Sequence, residues 1–158
     1  MEEEAQFIEP DVRLKNKIGD VLKAQATLSP EALKKAEQLV NDGVDVFLEE
    51  AENELALLAM MVREKKNFST AEIIKKTSDC AYMLKSRSGT FGYSLGSQAG
   101  KSLYDYVQHL TSLNDKNFKV IETHTGSLRA IFGNRIKGDG GEQGQALLKG
   151  LFELVKLF

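Results

Sequence analysis

The stretch SPEALKKAEQLVNDGVDVFLEEAENELALLAMMVREK, Ser29 to Lys65, constrains the fold more than any other. Ser29 can accept from the free N–H groups of a helix start, and Pro30 suits the first helical position, where its missing N–H costs nothing. Behind them, Leu33, Ala36, Leu39, Val40, Val44, Phe47, Leu48, Ala51, Leu55, Leu58, Ala59 and Val62 recur three and four residues apart. That period predicts one amphipathic helix over about residues 30–64, roughly 50 Å long at 1.5 Å per residue. Such a stripe needs apolar partners of similar length, and other helices supply them best. Gly43 lies inside the run and marks a weak point or bend.

The rest of the chain repeats the pattern in shorter pieces. Lys65-Lys66-Asn67 is a polar connection, and Ser69 or Thr70 caps a second helix over 70–87, with Ile73, Ile74, Thr77, Cys80, Ala81 and Leu84 inward. A third helix is predicted over 94–112 on Leu95, Ala99, Leu103, Tyr106, Val107 and Leu110. A fourth covers 116–135 on Val120, Ile121, Leu128, Ile131 and Phe132. Gly138-Asp139-Gly140-Gly141 is a connector, and a last helix over 142–157 carries Leu147, Leu148, Leu151, Phe152, Leu154 and Val155. A short helix is read near 11–24 on Val12, Ile18, Val21 and Leu22. No alternating strand pattern occurs, and short connections imply antiparallel neighbours. The expected fold is all-α: an up-and-down antiparallel four-helix bundle over about 30–135, with additional N- and C-terminal helices. Residues 11–158 form one domain behind a disordered acidic lead at 1–10.

Composition narrows the function classes. The 158 residues carry a formal charge of −2, which argues against the strongly basic face that nucleic acid demands. No apolar run reaches the roughly 18 residues of a membrane span. The acidic start MEEEAQFIEP is unlike a signal peptide, so a cytoplasmic location is expected. The single cysteine, Cys80, falls on the inner face of its helix and reads as inert packing. Neither a paired-carboxylate site nor a nucleophilic triad stands out, so no enzyme activity and no cofactor are expected.

One residue breaks the pattern. On the second helix Tyr82 falls about 200° from Cys80 at 100° per residue, on the polar face among Lys75, Ser78, Asp79, Lys85 and Ser86. The segment AYMLKSRSGTFG, Ala81 to Gly92, resembles the motif of histidine-containing phosphotransfer domains: Ala-His-x-Leu-Lys-Gly, then about five residues, then Gly. Ala81, Leu84, Lys85 and Gly92 match. Further segments resemble the alphaproteobacterial branch of that family: Phe7 to Gly19, Ser29 to Gln38, Gly89 to Leu95, and His124 to Leu151 in two pieces. The resemblance implies a four-helix bundle whose second core helix presents the phosphoryl carrier.

The departures are Tyr82 at the histidine position and Ser86 at the glycine. A phenol titrates near 10 and is a poor nucleophile at neutral pH, unlike imidazole. The expectation is therefore a degenerate, non-transferring module. It docks a response-regulator receiver domain or a histidine kinase through Lys75, Ser78, Asp79, Tyr82, Lys85, Ser86 and Arg87, helped by Gln98 and Lys101 of the third helix. Two alternatives stand beside it: an active relay with an unorthodox acceptor, and a structural protein using the same face as a dimer contact. The chain is expected to be a monomer or a weak homodimer.

The other candidates have plainer readings. His109 and His124 read as satisfied surface or boundary histidines, too few and too far apart for a metal cluster. Ser88 to Gly92 lacks the lysine of a phosphate loop and reads as a tight turn anchored by Phe91. The apolar last helix covers the core, or failing that makes a dimer contact.

Overall fold

The computed structural model describes residues 29–158. The expected acidic lead, the short helix near 11–24 and the resemblance over Phe7 to Gly19 lie outside the described residues. The described part is all-α, with five α-helices and no strands. They are α1 (Pro30–Arg63), α2 (Thr70–Arg87), α3 (Ser94–Val107), α4 (Asp115–Gly133) and α5 (Gly141–Leu157), with 3-10 turns at Lys65–Asn67 and Ser88–Phe91.

The described residues fall into two units divided after Asp42, so α1 contributes to both. In the first, Leu33, Leu39 and Val40 are exposed, the latter two at 65% and 63%. The apolar period thus makes a helix there without burying its stripe among the described residues.

The second unit holds the core. From α1, Val44, Phe47, Leu48, Ala51, Leu55, Leu58, Met61 and Val62 are buried. They join Ile73, Cys80, Ala81 and Leu84 of α2, Leu95, Ala99 and Leu103 of α3, Ile121, Leu128, Ile131 and Phe132 of α4, and Leu148 and Leu151 of α5 in one cluster. Ion pairs at the rim set directions. Glu54 meets Lys76 and Glu50 meets Arg87, while Asp45 meets Arg135 and Glu52 meets Arg129. Partners descend along α1 as they rise along α2, and again from α4 into the turn just past its end, which is antiparallel pairing in both cases.

Local chemistry explains the element ends. Ser29 Oγ accepts from the Ala32 N–H at 3.2 Å. At α2 the cap is Ser69 in a reciprocal capping box with Glu72. Asn114 and Asn117 make the same box at the start of α4. The hydrogen bonds to Ser69 hold the Glu72 carboxyl below the ordinary carboxylate range. Helix α3 ends at Val107, about a turn before the sequence suggests, and His109 and Leu110 fall in the turn beyond it.

The α2–α3 connection turns tightly because Gly92 adopts φ 84°, a left-handed conformation that side chains disfavour. Phe91 stacks on Phe47 with ring centroids 4.8 Å apart. Tyr93, which no period singled out, is fully buried against Phe47 and Phe132.

Candidate functional site

Helix α2 leans on α3 so closely that Gly100 is required between them. A Cβ there would stand 2.9 Å from the backbone nitrogen of Lys85 and 3.2 Å from Leu84 Cβ. Two hydrogen bonds cross the same seam: Ser97 Oγ donates to the Lys85 carbonyl at 2.7 Å, and Gln108 Nε2 donates to Ser78 Oγ at 2.8 Å.

On this seam Tyr82 is 56% exposed. Its ring lies 5.6 Å from that of Tyr104, tilted by 51°. The Lys85 ammonium sits 4.4 Å from the centroid of the same Tyr104 ring, a cation–π contact. Tyr104 thus joins the two α2 residues that matter most in the sequence reading. The sequence did not name it, because helical period alone does not say which residue of a neighbouring helix lies opposite. Ser86, where the phosphotransfer motif has glycine, turns its hydroxyl onto the Tyr82 carbonyl at 2.7 Å and the Met83 carbonyl at 3.2 Å.

The remaining predicted residues spread outward from this centre. Lys75, Ser78 and Asp79 line a groove of about 630 Å³ together with Ile74, Val107 and Leu110. Lys75 and Asp79 pair across one helical turn at 2.5 Å. Arg87 turns toward α1, binding Glu50 at 2.6 Å and lying over the Phe47 ring. Gln98 and Lys101 border a small cleft with Ser102, Asp105 and Phe152, and Lys101 pairs with Asp105. Lys101 is one helical turn from both Ser97 and Tyr104, so it also flanks the seam.

The histidines lie elsewhere. His109 is exposed, on a groove of about 690 Å³ with Phe152, Val155 and Phe158. His124 corrects the sequence reading: it is fully buried in α4, not at a surface or boundary. Its Nδ1 lies 2.9 Å from the Val120 carbonyl, which only accepts, so the proton sits on Nδ1. Nε2 therefore accepts from Ser102 Oγ at 3.0 Å. Burial pushes the imidazole below its ordinary pKa. The signal was available: His124 is one turn from Val120 and one from Leu128, in the middle of the apolar stripe.

Cys80 is buried, and desolvation pushes its thiol up to about 12, so it stays a neutral thiol. Among the described residues no three His, Cys, Asp or Glu side chains are grouped to hold a metal, and no helix is long and apolar enough to cross a membrane.

In comparisons with known proteins the chain matches no family model, no curated protein and no solved structure.

Proposed function

We propose that this protein is a pseudo-phosphotransfer module of two-component signalling. It docks a response-regulator receiver domain, or a histidine kinase, through the Tyr82 face and carries no phosphoryl group. In this reading Gly43–Arg63 of α1 with α2, α3 and α4 forms an up-and-down antiparallel bundle of the phosphotransfer type, extended by α5. The antiparallel contacts described above support that arrangement. The module works in the cytoplasm as a monomer or weak homodimer.

The observation that carries the reading is the state of the acceptor position. Tyr82 projects from the exposed face of α2, where the motif has its histidine, with Lys85 retained one turn later and a tight turn through Gly92 behind it. A phenol there leaves the surroundings of a relay site while removing the nucleophile that transfers at neutral pH. His124 makes a poor substitute, since both of its ring nitrogens are engaged in the interior.

A pull-down from the native cell with wild type, Tyr82→Ala and Tyr82→Asp tests the docking face. Receiver domains recovered by wild type and lost with both variants are the expected result. Equal recovery by all three proteins contradicts it.

A further inference from the structure

Most of the charges around Tyr82 are paired, and this bears on what the face can recognise. Lys75 is answered by Asp79, Arg87 by Glu50 and Lys101 by Asp105. Exposed ion pairs of this kind contribute little and exchange partners readily. Their charges nevertheless cancel wherever the side chains swing. The one cation of the predicted face without an anionic partner among the described residues is Lys85, and its ammonium lies over the Tyr104 ring.

Two of the neighbouring hydroxyls are also committed. The Ser86 hydroxyl donates to the Tyr82 and Met83 carbonyls, and the Ser97 hydroxyl donates to the Lys85 carbonyl. The helix adds nothing in compensation. Tyr82 and Lys85 stand in the last two turns of α2, at the end of the macrodipole that repels anions. A phosphoryl group, with about −1.5 to −2 charges, is usually held by several cations or by helix N-terminal N–H groups. This face offers neither arrangement.

What it does offer is apolar area. Tyr82 and Tyr104 form an aromatic step, held at fixed height by the Gly100 contact. One to two turns away, the 630 Å³ groove brings the half-buried Ile74 and Leu110 to the surface. Rigid aromatic side chains next to an apolar pocket are the usual centre of a protein interface.

We infer that the Tyr82 face recognises an apolar, electrically neutral patch on a receiver domain, and that it binds that domain equally whether or not it is phosphorylated. This rests on the docking reading and adds its regulation: the module would titrate its partner continuously and would not respond to the partner's activation.

The test is titration calorimetry of the full chain against purified receiver domains of the same cell. Each is measured free and loaded with beryllofluoride, an aspartyl-phosphate mimic, at low and at high salt. Screening shortens to roughly 3 Å at 1 M salt, so any charge-driven affinity collapses there. Expected Kd values differ less than about threefold between the two loading states and between the two salts. Tyr82→Ala weakens binding by about tenfold or more, the scale of a central interface residue. Tightening by beryllofluoride, or loss in salt, of more than about tenfold overturns the inference while leaving the docking reading in place. Failure of every receiver to bind removes the docking reading and this inference with it.

Discussion

Helix α3 serves two seams of opposite character. Toward α2 it presents Tyr104, Ser97 and Lys101 around an exposed tyrosine; toward α4 it presents Ser102 and Tyr106 to the buried His124 and Asn117. There Ser102 bonds His124, and the Tyr106 hydroxyl accepts from Asn117 Nδ2 at 2.8 Å. The imidazole, whose chemistry suits transfer, stands where nothing reaches it, and the phenol, whose chemistry does not, stands in the open. One seam fixes helix register with satisfied polar bonds, and the other leaves its aromatic surface for something else to cover.

Substitutions that act on one seam and spare the other should separate these roles. The largest effect is expected at Leu84, fully buried beneath the Tyr82 seam. Leu84→Ala should cost about 2–5 kcal/mol in denaturant unfolding. A smaller loss would mean that α2 packs loosely and that the face above it is not rigid. Gly100→Ala follows, because the new Cβ would press on backbone, which yields less easily than a side chain. A cost of about 1–3 kcal/mol is expected, with weaker binding at the Tyr82 face even where the protein stays folded.

The α3–α4 seam is probed by pH. Burial lowers the His124 pKa in the folded state, so below the ordinary value near 6.5 the unfolded chain binds more protons than the folded one. The stability contributed by neutral His124 is complete above that value. It is lost as pH falls from there toward the lower folded pKa. His124→Gln should flatten this part of the stability–pH curve, as read by unfolding midpoints across the acid range. An unchanged slope would mean that the imidazole is not held neutral.

The smallest stability effect is expected at Tyr82. Exposed, and with no side-chain hydrogen bond to the described residues, it should tolerate Tyr82→Ala within about 0.5 kcal/mol. Thermal unfolding measures this directly. A loss several times larger would mark Tyr82 as a packing residue and weaken the case for docking.

Much of the helical plan was legible because it rests on local chemistry. Ser29-Pro30 and Ser69 announce helix starts by capping, and three- and four-residue spacing names Val44 through Val62 as a buried stripe. Two failures have physical causes. Leu33, Leu39 and Val40 continue the same period yet are exposed, since a period specifies a face and not a partner for it. His124 was assigned by residue type, although its neighbours one turn either way are buried aliphatics. At the site, Tyr82, Lys85 and the turn through Gly92 were legible from spacing within one helix and its loop. Tyr104, Ser97 and Gly100 were not, because their part depends on the register between α2 and α3, which no single-helix pattern contains.

The central claim is recognition without transfer, and its most direct test follows the phosphoryl group itself. A receiver domain charged with radiolabelled acetyl phosphate is mixed with this protein, and both chains are then assayed for acid-labile and acid-stable label. The account predicts that the receiver keeps or hydrolyses its label while the protein remains unlabelled, in wild type and in Tyr82→Ala alike. Stable acid-labile label on this chain would contradict it, and so would label of any kind that disappears with Tyr82→Ala.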